Sequence, residues 1–291
     1  MPLKVGTTNI DDVKEGNFTI ASAFRGNVRV YGEGGDSDCY QIRTPSGALM
    51  GLSQSLDAKC LSSYPGTGTT WFDISGHGRN GTISGATYTP SSPNYFDLDG
   101  TNDSVNIGNW EFSNDPSQDG RRNFVTWMYL EQYPTGTEQY TIASQWEEST
   151  NNRSWRTFIT ASTVNPGGAY IGFELSNSGS STSYSGTATV NDTNCQVPLD
   201  KWFMVSYYMN GDGLGKQITI NILYDGAFQT GYGNGINPSD VPYEVTNDVQ
   251  VGRTDITSTR DYFKGRIAQW AYWNREDSVA NFFLATTDSY E

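Results

Sequence analysis

Apolar and polar residues alternate with a period of two over much of this chain, and Gly, Asn, Asp and Ser interrupt the alternation at short intervals. That is the pattern of short, half-buried strands joined by turns. The clearest stretch is Tyr95-Phe-Asp-Leu-Asp-Gly-Thr-Asn-Asp-Ser-Val-Asn-Ile107. Phe96 and Leu98 share one face and Asp97 and Asp99 the other; Asp99-Gly100-Thr-Asn turns the chain, and Val105 and Ile107 resume the alternation. Ile218, Ile220 and Ile222 alternate with Thr219 and Asn221, and Asp225-Gly226 closes a hairpin. Residues 202–209 are apolar on both faces, which predicts a central strand lying between the sheets and another covering layer. Ile267, Gln269, Ala271 and Trp273 alternate against Arg266, Ala268, Trp270 and Tyr272, so both faces of that strand carry bulk. The one helix the pattern predicts spans 276–283, with Glu276 and Asp277 suited to the positive end of its dipole. An all-β, antiparallel two-sheet sandwich follows.

Residues 1–31 follow a different rule. Gly6, Gly16 and Gly26 are ten apart, as are Ile10, Ile20 and Val30, with Thr8, Phe18 and Val28 between them. Each unit reads as a Gly turn and a short strand, giving an N-terminal β-meander. Three such strands bury too little apolar area to stand alone, so the segment is expected to attach to a partner or to self-associate. Residues 32–46 begin Gly32-Glu-Gly-Gly-Asp-Ser-Asp38 and read as a linker, to which 39–43 could add one strand. Residues 47–291 are then one large domain, of a size that buries roughly three quarters of its unfolded surface.

The order of pieces in that domain carries a resemblance. Leu56-Asp-Ala58, then Ser62-Ser-Tyr-Pro-Gly-Thr-Gly-Thr-Thr-Trp-Phe-Asp-Ile-Ser-Gly-His-Gly-Arg-Asn-Gly-Thr82, are followed by Asn123-Phe-Val-Thr-Trp-Met-Tyr129 and Thr141-Ile-Ala-Ser-Gln-Trp146. Lys201-Trp-Phe-Met-Val-Ser-Tyr-Tyr208, Ile222-Leu-Tyr-Asp-Gly226, Val251-Gly-Arg253, Phe263-Lys-Gly-Arg-Ile-Ala-Gln-Trp270 and Tyr272-Trp-Asn-Arg275 complete the series. Over roughly residues 50–285 the chain resembles the concanavalin A-like, laminin G-like jelly roll found in bacteriophage virion structural proteins. The resemblance implies a jelly roll sandwich on the outer surface of a virion, as a head decoration, head fibre or tail fibre component. Its partners would be other virion proteins, reached through the N-terminal segment, and further copies of the chain, a trimer being one arrangement. Many functions sit on this fold, so the implication for function is weaker than for architecture.

Net charge is −14, which would repel phosphate backbones, so nucleic acid is not an expected partner. Cys39, Cys60 and Cys195 are odd in number and match neither a disulfide framework nor a zinc spacing; they read as reduced core residues. The first seven residues lack the apolar stretch of a signal peptide, and no apolar run is long enough to cross a membrane. Synthesis in a host cytoplasm and delivery in a particle is the expectation.

Three chemistries can be weighed. Glycoside hydrolases on this fold resemble a Glu-x-Asp-x-x-Glu strand, whose alternate carboxylates face one sugar bond. No such strand occurs: Glu147 and Glu148 are adjacent, and Glu174 has no carboxylate two or four positions away. His77, the only histidine, lies in a Gly-rich turn and reads as an exposed turn residue. No enzyme is expected. Calcium is a candidate cofactor, because Asp97, Asp99 and Asp103 fall within seven residues and the family places the turn holding Asp73 near them; turn capping is the competing explanation. Glycan binding would use Trp146, Arg153, Trp155, Tyr184, Tyr232 and Tyr262, aromatic faces and a hydrogen-bonding arginine drawn from predicted loops. The Ser-rich run 176–185 reads as a long flexible loop. A non-enzymatic virion protein that contacts host polysaccharide is the preferred reading. The alternatives are a soluble lectin and, behind it, a glycoside hydrolase.

Overall fold

A computed structural model describes residues 52–91, 93–109, 122–162, 167–187, 196–210, 217–225, 227–233, 242–255 and 260–273, together with five short strands before residue 44. The early strands are β1 (Lys4–Val5), β2 (Thr8–Asn9), β3 (Ala23–Arg25), β4 (Val28–Tyr31) and β5 (Gln41–Arg43). β1 pairs with β2, and β3, β4 and β5 form a separate three-stranded antiparallel sheet. The β1-β2 and β3-β4 pairs flank positions 6 and 26, two of the three glycine positions of the repeat, and Val30 pairs with Ala23 on one side and Ile42 on the other. The strand expected within 39–43 is present and closes this meander. Gly6, Ile10, Gly16, Ile20 and Gly26 lie outside the described residues, as does the predicted helix 276–283.

The large domain is an antiparallel two-sheet jelly roll sandwich. Its first sheet contains β6 (Leu52–Asp57), β9 (Thr87–Thr89), β10 (Tyr95–Asp99), β12 (Arg122–Tyr129), β17 (Trp202–Asn210), β18 (Gln217–Tyr224), β19 (Ala227–Gly233) and β23 (Lys264–Trp273). They run in the order β19-β18-β17-β12-β23-β10-β9, with β6 beside β10 on β23. The second sheet contains β7 (Thr70–Trp71), β8 (Gly81–Ser84), β11 (Ser104–Asn106), β13 (Gln139–Glu147), β14 (Asn152–Ala161), β15 (Ala169–Leu175), β16 (Tyr184–Thr187) and β20 (Gln250–Val251). The short hairpin β21 (Arg253–Asp255) and β22 (Arg260–Tyr262) joins it along β13.

Alternation places the core between the sheets. Phe96 and Leu98 of β10 are buried there while Asp97 and Asp99 point out, as the period of two requires. From the facing sheet come Trp155, Ile159, Ile171, Phe173 and Leu175. Phe124 is the pivot of a stacked row, its ring 5.1 Å from Tyr207 and 4.9 Å from Trp270. The first sheet is also buried on its outer side: Val125, Trp127, Met204 and Ala271 have no exposed surface yet stand apart from the inter-sheet core. β17 is thus covered on both faces, as its sequence predicts.

Two features depart from the expected pattern. In β23 the register to β12 shifts between Trp127 and Met128, leaving Ala268 as the extra residue of a β-bulge. Ile267 consequently joins Trp270 and Tyr272 in the core, and Arg266 is turned to the opposite side. Cys60, wholly buried, is disulfide-bonded rather than reduced; its partner lies outside the described residues.

Candidate functional site

The outer face of the second sheet is built by register. Ser144, Arg156 and Glu174 stand in one row across β13, β14 and β15, and Thr141, Phe158 and Gly172 in the next. Because the alternate residues Trp155 and Ile159 occupy the core, Arg156 and Phe158 must project outward. Arg156 Nε donates to Glu174 Oε2 at 2.7 Å, and its Nη1 to Asp261 Oδ2 of β22 at 3.4 Å. The guanidinium carbon lies 4.8 Å from the Phe158 ring and 5.7 Å from the Trp146 ring. Gly172 makes room for this floor: a Cβ there would come within 2.4 Å of Phe158. Only 8% of the Arg156 side chain is exposed, so it serves as an anchor with its charge matched by two carboxylates.

Two further arginines extend the face. Arg153 pairs with Glu148, Nε to Oε1 at 3.7 Å, and donates from Nη1 to the Ser180 carbonyl. Arg253 forms a close pair with Asp255, Nη2 to Oδ2 at 2.7 Å, while its own carbonyl accepts from Ser144 Oγ at 2.6 Å. The result is a set of fixed donors and acceptors, with Arg156 over buried rings, an arrangement complementary to hydroxyl groups.

The sequence-predicted glycan residues divide. Arg153 and Tyr262 are partly exposed at the rim of this face. Trp146 is only 2% exposed, packed against Arg156 with its Nε1 donating to Glu148 Oε1 at 3.4 Å, so its face is not open for stacking. Trp155 is a core residue stacked on Phe124, which corrects its assignment to a loop. Tyr184 begins β16 at the edge of the same sheet, and Tyr232 lies on β19 of the other sheet, so the six are not brought together. The run 176–185 is less open than a flexible loop. Gly179 N donates to Ser176 Oγ, the Gly179 carbonyl accepts from Arg153 N, and Tyr243 N donates to the Ser176 carbonyl. Arg156, Phe158 and Asp261 escaped notice as candidates, although an arginine among Trp155, Phe158 and Ile159 was a legible signal of an outward-facing position.

Among the described residues, no three carboxylate, imidazole or thiol groups gather as metal ligands. Asp73, Asp99 and Asp103 are turn caps. Asp73 Oδ1 accepts from the backbone of Ser55 and Ser75, and its Oδ2 from Ser75 Oγ and Arg79 N, which winds the Gly-rich turn holding His77 around one side chain and fastens it to β6. Asp99 Oδ1 accepts from Thr101 N and Asn102 N, and Asp103 Oδ2 accepts from Asp99 N. Replacing Asp73 with Ala is expected to cost about 3 kcal/mol, since several backbone donors lose one charged acceptor. Urea denaturation checks this, and a loss within experimental error would mean that the turn does not depend on Asp73.

Desolvation raises the carboxyls of the buried Asp103, the half-buried Asp261 and, although its side chain keeps an exposed edge, Asp97 above the ordinary 3.8; Arg266 offsets the shift of Asp97, the Asp99 amide that of Asp103, and Arg156 that of Asp261. Between 3.8 and the raised values the folded chain binds protons more tightly than the unfolded chain, so stability falls as pH rises through that window. Acidification also relieves the net charge of −14. The melting temperature is therefore expected to be higher at about pH 4.5 than at about pH 7.5. A lower value on the acid side would contradict the assignment.

No protein-family model matches the chain, and no curated protein does. Solved structures do. The binding domain of botulinum neurotoxin DC in complex with SialylT superposes with a TM-score of 0.51 at 16% identity, over 78% of this chain and 48% of that one. A botulinum neurotoxin type C structure, of a toxin whose cell entry depends on interaction with two ganglioside molecules, matches with a TM-score of 0.51 at 16% identity, covering 80% and 50%. A mutant of Trypanosoma rangeli sialidase displaying trans-sialidase activity matches with a TM-score of 0.50 at 12% identity, covering 82% and 33%. The chain thus spans about half the length of these toxin structures. At such identities the likeness establishes a shared jelly-roll-like fold.

Proposed function

We propose that this chain is a non-enzymatic virion structural protein of bacteriophage type, a head decoration, head fibre or tail fibre component, whose lectin-like jelly roll contacts host-surface glycans. The observation that carries the glycan reading is the outer face of the second sheet, where Arg156 is held by two carboxylates over the Phe158 and Trp146 rings and Arg153 and Arg253 are each held by a carboxylate nearby. Support comes from fold relatives, one toxin domain in complex with SialylT and one toxin dependent on gangliosides. The virion reading is supported by the order of sequence pieces and by the small separate sheet β3-β4-β5, which is suited to attachment and self-association. The disulfide at Cys60 supports a mature protein outside a reducing cytoplasm.

One observation favours the hydrolase as a second reading. Glu174 and Asp261 meet at Arg156 from two different strands, a pairing that a search along single strands cannot find. The guanidinium that binds both carboxylates lies between them, however, where a scissile bond would have to sit.

Host envelope polysaccharide incubated with protein displayed on a particle is expected to be retained without release of oligosaccharide. Display should strengthen retention by about 10²- to 10⁴-fold over monomer. The double variant Arg153→Ala, Tyr262→Ala should weaken it. Sustained release would establish the hydrolase, and absence of retention on the particle would overturn the glycan reading. Imaging intact particles tests the virion assignment, and deleting residues 1–46 should abolish incorporation.

A further inference from the structure

The outer face of the first sheet carries an arrangement of its own, far from the arginine row on the second. Asp97 of β10, Arg266 of β23, Tyr129 of β12 and Trp202 of β17 are mutual register partners, so they stand in one row across four strands. At the usual strand spacing this row spans about 14 Å. The bulge at Ala268 creates it: without the extra residue, Arg266 would share the face of Trp270 and point into the core. Gly265 fixes the backbone beside it, at a φ of +147° and so close to the Tyr129 carbonyl oxygen that a Cβ would lie 2.5 Å away.

Tyr95 reaches back over the row. Its ring lies 5.8 Å from Trp202, and Trp202 lies 5.7 Å from Tyr129, the planes tilted by 54° and 58°. The three rings are half-buried and form an aromatic cluster on the outside of the sheet. Arg266 occupies its base, the guanidinium carbon 4.9 Å from the Tyr95 ring and 4.6 Å from the Tyr129 ring. Polar groups rim it: Arg266 pairs with Glu131, Asp200 lies close enough to the Tyr129 hydroxyl to raise its pKa, and Asp97 is exposed beside Arg266.

We infer that this aromatic cluster is a second saccharide site and that it takes a neutral pyranose. Sugar C–H faces stack on electron-rich rings, and hydroxyls suit carboxylate acceptors flanking an arginine. The charges select among sugars. Asp97, Glu131 and Asp200 outnumber Arg266, and neighbouring Lys201 is already paired with Asp225, so a sialylated or uronic acid unit would meet net repulsion. A cationic ligand is disfavoured as well, because Arg266 already fills the position between the tyrosine rings. The inference does not rest on the reading of the other face.

Saturation-transfer NMR of the full chain with neutral glucose, mannose and galactose trisaccharides, and with a sialylated trisaccharide, tests it. Signal is expected from at least one neutral probe and not from the sialylated one. Trp202→Ala should weaken binding roughly tenfold, the scale of one stacked ring. Asp97→Asn, at an exposed position, should also weaken it, and it serves if Trp202→Ala does not fold. The double variant Arg153→Ala, Tyr262→Ala should leave this signal unchanged. Binding of neutral probes that is lost only in that double variant would overturn the inference while sparing the proposed function. Preference for the sialylated probe at this site, or no neutral binding, would overturn it outright.

Discussion

Trp270→Ala is expected to destabilise the protein by about 4–5 kcal/mol, the upper part of the range for removing a core aromatic. Three losses coincide. The Trp270 ring is stacked at 4.9 Å and 19° on Phe124, which stacks in turn on Tyr207 at 5.1 Å and 9°, so its removal opens a cavity at one end of the row and leaves Phe124 without support on that side. The indole Nε1 donates to Gln54 Oε1 at 2.9 Å, and Gln54 is fully buried, so the amide oxygen would be left without its donor. Gln54 Nε2 meanwhile donates to the Arg79 carbonyl, so the disturbance reaches the turn organised by Asp73. Trp270→Phe should cost less, about 2 kcal/mol, because most of the ring remains and mainly the hydrogen bond is lost. Urea denaturation of both variants measures the difference. Equal losses would mean that Gln54 finds another donor.

Cys60→Ala is expected to cost about 2–4 kcal/mol, the usual effect of removing a native disulfide, mostly through the freedom regained by the unfolded chain. Reductant applied to the unsubstituted protein should lower its melting temperature to a similar extent. A non-reducing peptide map should place Cys60 in a crosslinked peptide. A free Cys60 thiol, with melting indifferent to reductant, would contradict the bonded state.

Much of the architecture was legible locally. Phe96 and Leu98 inside, Asp97 and Asp99 outside, and a turn at Gly100 follow from a period of two and from one residue tolerant of a φ of +79°. The double burial of β17 follows from apolar residues on both of its faces, and the strand at 41–43 was anticipated. Other assignments failed for identifiable reasons. Trp155 and Trp146 are nine residues apart and similar in context, yet one is core and the other supports Arg156, because Trp155 pairs with Gln145 and Trp146 with Arg153, adjacent rows that present opposite faces. Nothing in an odd number of distant cysteines announces that Cys60 is bonded.

The sequence by itself determined the strand class, most turns and the identity of the core faces, because these depend on side-chain period and on backbone preferences within a few residues. Only the tertiary structure decided the two candidate faces. Arg156, Glu174 and Asp261 come together through the register of β14 on β15 and the return of β22, across more than a hundred residues of chain. Asp97, Arg266, Tyr129 and Trp202 align because one extra residue at Ala268 reverses the faces of β23. Inter-strand register and bulges are set by the packing of the whole sandwich, so such sites exist only once the sheets have closed.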